Sequence, residues 1–201
     1  MLDSKTQKKT QGFTLIELML VVAVIMILAA VTVPKMTATF NDIKLHYVAT
    51  DLSGLLQSAR ILSVRKNSFY SVQAGVLAGV PIYYIDKPGA GYVAGDPYVP
   101  IDPAVTVTQG PGTAAPGSAG FLAGLNFVVD PAADPPSFSA RGLPCIGALN
   151  VCPQTPGQGF VMFMSRAAIS GNIPWIAVVV NPSAHIQIWS CDRNGNWIQR
   201  D

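Results

Sequence analysis

The sequence predicts an α+β protein: a long N-terminal helix, membrane-spanning in its first half, packed on a β-rich, sandwich-like C-terminal head. Three observations predict it. Residues 14–33 form a run of twenty with a single charge, Glu17. Apolar residues then recur at spacings of three and four as far as Leu62. Beyond Asn67 the period changes to two, among β-branched and aromatic residues.

As a helix, the first run spans roughly 30 Å, the thickness of the hydrocarbon core of a bilayer. A carboxylate inside it costs about 3 kcal/mol at the helix centre and less near an end, so Glu17 needs a partner. Lys5, Lys8 and Lys9 precede the run against Asp3 alone, which orients the anchor with its lysines inside. A secretory signal peptide would place a small-residue cleavage site after the apolar stretch, but Pro34-Lys35-Met36 stands there. The processing signal lies in front, at Gly12-Phe13.

Past Pro34, a stripe of Phe40, Ile43, Tyr47, Val48, Leu52, Leu55, Leu56, Ala59 and Leu62 predicts that the helix continues to about Lys66. Pro34 removes one donor and crowds the preceding turn, so a kink is expected there. The stripe should lie on a sheet, with docking of a partner helix as the alternative. Strands are expected at 69–77, 80–86, 104–108, 125–129, 159–164, 174–181 and 185–190, with Gly/Pro-rich loops at 110–124 and 130–136.

The segment Gly12-Phe13-Thr14-Leu15-Ile16-Glu17-Leu18 resembles the type III signal of type IV pilins and type II secretion pseudopilins. The resemblance covers the basic leader, the cut site, the glutamate, the apolar run and Pro34. It implies that a prepilin peptidase cuts after Gly12 and methylates the new amino terminus of Phe13. It also implies that Glu17 serves filament assembly. The chain then divides into a cleaved leader (1–12), a transmembrane and filament-core helix (13–34), an amphipathic helix (35–66) and a β-rich head (67–201). Cleavage frees a positive amine on Phe13, four residues and about 6 Å of helix from Glu17. In a filament, Glu17 of one subunit would pair with that amine on its neighbour and set the register.

Weaker matches in the body resemble the FimT/GspH branch of minor pilins and pseudopilins. They are Ala59-Arg60 with Arg65-Lys66-Asn67, the segment Phe138-Ser139-Ala140-Arg141-Gly142-Leu143-Pro144, and the hairpin at 176–188. Two departures stand out. Leu62 replaces a common glutamate, and Ala184-His185 replace a common glycine and arginine.

No enzyme, cofactor or metal centre is expected. His46 and His185 show no zinc spacing, and the glycine-rich stretch at 110–124 lacks the Gly-Lys-Ser/Thr ending of a phosphate loop. Asp192-Arg193-Asn194-Gly195-Asn196 has its glycine in the wrong place for a calcium loop and reads as a turn. Cys145 and Cys152 are candidates for a loop-closing disulfide, with Cys152–Cys191 as the alternative pairing. Beyond the leader, ten Lys/Arg face ten Asp/Glu, and Arg60, Arg65, Lys66, Arg193 and Arg200 are few cations for a phosphate backbone. This argues against DNA as a partner.

The expected function is that of a minor pilin or pseudopilin subunit, at or near the tip of a type IV pilus or type II secretion pseudopilus. The alternative is a membrane-anchored DNA receptor or adhesin. Implied partners are the prepilin peptidase, other pilins or pseudopilins, the inner-membrane assembly platform, and membrane lipid before assembly. The implied location is the cytoplasmic (inner) membrane, leader inside and head outside, and then the filament.

Overall fold

The computed structural model describes residues 13–87, 89–108, 126–128, 135–146, 152, 158–166, 174–192 and 194–200. Its elements are α1 (Leu15–Lys66), β1 (Tyr70–Leu77), β2 (Val80–Asp86), β3 (Tyr98–Pro100), β4 (Val105–Thr108), β5 (Asn126–Val128), β6 (Pro136–Phe138), β7 (Pro144–Ile146), β8 (Gln158–Arg166), β9 (Trp175–Val180), β10 (Ile186–Cys191) and β11 (Trp197–Arg200). The architecture is α+β, as the change of period predicts. Two compact units are distinguished, Met1–Phe40 and Asn41–Asp201.

In the first unit the described chain is helical from Leu15 onward, and the helix continues through Pro34. Every apolar side chain from Leu15 to Val33 that is large enough to matter is exposed to the surroundings. Such a helix is stable only where those surroundings are themselves apolar.

In the second unit α1 buries Leu45, Val48, Ala49, Leu52, Leu55, Leu56 and Ala59. This corrects the stripe expected from spacing. Phe40, Ile43 and Tyr47 lie outside the core and are exposed, while Leu45 and Ala49 belong to it. Residues 40, 43 and 47 keep the same three-and-four rhythm, but half a turn away from 45, 48, 52 and 56. Two stripes of equal period on opposite faces look alike in one dimension. Ser53 and Ser63 also face inward, and their hydroxyls donate to the helix's own carbonyls at Thr50 (2.8 Å) and Arg60 (2.7 Å). Each buried hydroxyl is thereby satisfied.

The strands form two sheets. The first has the order β3-β2-β1-β6-β7, every pair antiparallel. The second has the order β11-β10-β9-β8-β4, also antiparallel, and β5 runs parallel to the start of β8. Val72, Tyr83, Ile85 and Phe138 of the first sheet share one core with α1 and with Phe160, Met162, Met164, Ile176, Val178 and Val180 of the second. The other face of β8 and β9 carries Val161, Phe163, Trp175, Ala177 and Val179, and it too is buried. Strands buried on both faces read as continuous apolar runs, which is why 159–164 and 174–181 were the clearest strands in the sequence.

The seven expected strands are all present within about two residues at either end. Four further strands, β3, β6, β7 and β11, were not expected. They are three or four residues long, and three of them contain proline, so none displays an alternation. The loop expected at 110–124 lies outside the described residues, as does most of 130–136. Pro136, expected in that exposed loop, instead opens β6 and is buried.

The turns follow local chemistry. Ala78 and Gly79 join β1 to β2 with φ of 50° and 83°, the two positive values of a type I′ hairpin turn. Alanine at the first of these positions is strained, and Ala78 is exposed. Ala78→Asn is therefore expected to stabilise the head by about 0.5–1 kcal/mol, read as a rise in the denaturation midpoint at unchanged slope.

Candidate functional site

The N-terminal site begins with a helix cap. Thr14 is the last non-helical residue before α1, and its Oγ1 accepts the Glu17 N–H at 3.3 Å. Its carbonyl accepts the Leu18 N–H at 3.2 Å. Thr14-Leu15-Ile16-Glu17 thus has the form of a capping box, in which threonine opens the helix and a carboxylate occupies the third position. The signal was present in the sequence, but Thr14 was not singled out. Glu17 therefore lies at the positive end of the helix dipole, where a carboxylate is favoured by about 0.3–1 kcal/mol. That is smaller than the cost of placing it in hydrocarbon, about 3 kcal/mol at depth, so capping alone does not account for its position.

Glu17 is followed by a described helical stretch, Leu15–Val33, long and apolar enough to cross a membrane. Phe13 is exposed beside the cap. Gly12 and the leader lie outside the described residues. Pro34 falls within the helix.

In the head, three separate sequence features meet at Arg60. The turn between β6 and β7 closes with Gly142 N–H donating to Ser139 O at 2.7 Å and Ser139 N–H to Leu143 O at 2.9 Å. Gly142 has φ of 73°, and a Cβ there would lie 2.8 Å from Val64 Cγ2 and 3.4 Å from Arg60 Cγ. Only glycine fits both the conformation and the space. The turn between β9 and β10 is built in the same way. Ala184 N–H donates to Asn181 O at 2.7 Å, Asn181 N–H to His185 O at 2.9 Å, and Ala184 has φ of 62°. Arg60 Nη1 donates to the Ala184 carbonyl at 3.0 Å. The guanidinium thus ties α1 to one turn while its stem lies against the other.

The departure at Ala184 now has a physical reading. The left-handed conformation costs a non-glycine residue about 1–2 kcal/mol. The methyl is fully buried in the main core, which returns about 0.8 kcal/mol. Burial of the methyl thus returns roughly half of the conformational cost, which leaves alanine tolerable at this turn. Leu62, the other departure, packs half-buried against the same core.

Cys145 and Cys152 are joined by a disulfide with Cα atoms 5.4 Å apart, and Cys191 carries a free thiol. Burial pushes that thiol up, further from the reactive thiolate, and Asp192 adds to the shift. His46 and His185 are exposed on different elements, α1 and the β9–β10 turn. Among the described residues, no group of three His, Cys, Asp or Glu lies together as a metal site would require.

Several cations are committed to internal acceptors. Arg200 Nε donates to Ser190 Oγ at 2.8 Å. Asp102 draws in Lys44 Nζ at 3.3 Å and Arg166 Nη1 at 3.7 Å. The Ala104 N–H, and then Lys44, hold the Asp102 carboxyl below the usual carboxylate range. Asp192 is bonded to the backbone N–H groups of Asn194 and Asn196, at 2.8 and 2.7 Å, which makes 192–196 the turn into β11. Arg65 and Lys66 remain exposed at the end of α1, and Arg193 lies outside the described residues.

The geometry can be set beside known proteins. Residues 7–33 match the family model for the prokaryotic N-terminal methylation motif. The chain is also 34% identical over 71 residues to the type IV wide pilus major component PilA4 of Thermus thermophilus, over 35% of this chain and 54% of that protein. The chain thus spans about half the length of the curated relative it matches. No solved structure matches. The capped helix start, the carboxylate in its first turn, the apolar span and these two matches agree, and in this N-terminal segment the chain is similar to type IV pilins.

Proposed function

We propose that the chain is a minor pilin or pseudopilin of the FimT/GspH branch, incorporated at or near the tip of a type IV pilus or a type II secretion pseudopilus. A prepilin peptidase cuts between Gly12 and Phe13 and methylates the Phe13 amine. The helix then leaves the lipid for the filament, where Glu17 pairs with the Phe13 amine of a neighbouring subunit.

The observation that carries this reading is the N-terminal segment. An apolar span of 19 residues carries one carboxylate, placed in its first turn where a neighbour's freed amine can reach it. An unpaired carboxylate in a filament core would cost several kcal/mol, so pairing discriminates between docked and undocked positions. The meeting of Ala59-Arg60, Gly142 and Ala184 at one point supports the branch assignment, since the three matching segments serve one junction. The Cys145–Cys152 disulfide supports a head outside the cytoplasm, with the leader lysines on the inner side.

Mass spectrometry of sheared filaments is the direct test. The expected chain begins at Phe13, carries one methyl group on its amine, and is present at a small fraction of the major subunit. Filaments containing the chain with residues 1–12 attached would overturn the reading. Immunogold label along the whole shaft, rather than at filament ends, would overturn the tip placement.

A further inference from the structure

All three tryptophans of the chain, Trp175, Trp189 and Trp197, stand on one face of the second sheet, the face turned away from α1. Register places Trp189 between Ala177 and Gln199, and Cys191 between Trp175 and Trp197. Trp175 is buried with Val161, Phe163, Ala177 and Val179. Trp189 and Trp197 are half-buried at the edge of that cluster, and the Phe163 and Trp197 rings meet edge to face with centroids 5.6 Å apart. As diagonal neighbours on adjacent strands, Trp189 and Trp197 are about 7–8 Å apart, within reach of one ligand.

The same face carries carboxamides and no charge. Asn181 Nδ2 and Trp189 Nε1 both donate to Gln187 Oε1, at 3.3 and 3.4 Å. Two donors on its oxygen fix the Gln187 amide in one orientation and give its nitrogen the donor's part toward a ligand. Gln199 is exposed. The charged residues in the strands of this sheet are Arg166 and Arg200, and both belong to the opposite face, in line with Met164 and across from Ile188.

This combination selects among ligand classes. A phosphate backbone needs cations, and the described residues of this face offer none. Protein interfaces are enriched in tyrosine, methionine and arginine beside tryptophan, and none of those three occurs among the described residues of this face. A sugar ring has an apolar C–H face and a rim of hydroxyls, each both donor and acceptor. Indole covers the first, and carboxamides, which also donate and accept, match the second.

We propose that this face binds a neutral oligosaccharide, with Trp189 and Trp197 against the faces of its sugar rings and Asn181, Gln187 and Gln199 bonded to its hydroxyls. The site goes beyond filament incorporation and does not depend on it, since every residue involved lies in the head.

The test uses the full chain in micelles of a zwitterionic detergent, because glycoside detergents would compete. The probes are cellotriose, maltotriose and the trimer of N-acetylglucosamine, with dextran sulfate as the charged control. Since every tryptophan lies on this face, intrinsic fluorescence reads the site directly. At least one trimer is expected to change the emission saturably and to raise the thermal midpoint over the same concentrations. Trp189→Ala is expected to weaken that binding about tenfold. Gln199→Ala, at an exposed position, is expected to weaken it about threefold and to leave the midpoint of the unliganded chain unchanged. If Trp189→Ala does not fold, Gln199→Ala decides alone.

Silence from all three trimers would overturn the proposal and leave the face to a protein partner. Wild-type affinity in the folded variants would overturn it too, as would tighter binding of dextran sulfate than of any neutral trimer. None of these results touches incorporation, which is read in filaments and not in micelles.

Discussion

A chain in which Glu17 is replaced by glutamine is expected to insert into the membrane as the wild type does and to be nearly absent from filaments. Glutamine preserves the third position of the capping box opened by Thr14, so the start of α1 is kept. What it removes is the charge. If the Phe13 amine of a neighbouring subunit relies on that carboxylate inside the filament, its loss leaves a buried cation unpaired, at about 3–5 kcal/mol. At 1.4 kcal/mol per factor of ten, incorporation falls by about two to four orders of magnitude. Glu17→Ala keeps the backbone N–H that bonds Thr14 but also removes the favourable carboxylate from the first turn, and should be no better. The measurement is the ratio of chain in sheared filaments to chain in membranes. Wild-type incorporation of Glu17→Gln would mean that the glutamate acts as a helix-start signal, and the pairing reading would fall.

The second large effect lies in the head. Phe138 is fully buried in β6, between the β1 and β7 partners Tyr70 and Pro144, and it belongs to the core shared by both sheets and α1. Phe138→Ala is expected to destabilise the head by about 3–5 kcal/mol, a large part of the 5–15 kcal/mol that holds a domain of this size together. Leu52→Ala, on the buried face of α1, should cost about 2–5 kcal/mol. Tyr47→Ala is the contrast. Its side chain is 66% exposed, and its removal should change stability by less than about 0.5 kcal/mol. Denaturant unfolding of the purified chain in detergent measures all three. A Tyr47→Ala cost equal to that of Leu52→Ala would mean that the helix sits on its sheets with the other face.

These contrasts locate the boundary between what was legible in the chain and what was not. The N-terminal helix, its length and the position of Glu17 follow from local rules: a long apolar run, a Thr-x-x-Glu start and a basic leader act within a few residues of one another. The strongest strands were legible for a related reason. β8 and β9 are buried on both faces, so their composition alone distinguishes them. The hairpin turns were legible where Ala-Gly or Pro-Ser-Ala interrupts two such runs.

Other features required the folded molecule. The face of α1 that meets the core is one of two with the same period, and only the sheets choose between Leu45 and Ile43. The short strands β3, β6, β7 and β11 exist because neighbours offer them a ladder, since three or four residues, often with proline, have no preference strong enough to declare themselves. Arg60 gains its partner 124 residues away, at Ala184. Lys44 and Arg166 meet at Asp102 only in the folded chain. By itself, then, the sequence determined the membrane-type helix, its start signal and the change from helix to strands, because those depend on interactions between near neighbours along the chain. The tertiary structure decided which helix face is inside, which short segments become strands and which charges meet, because those depend on groups that only the closed chain brings together.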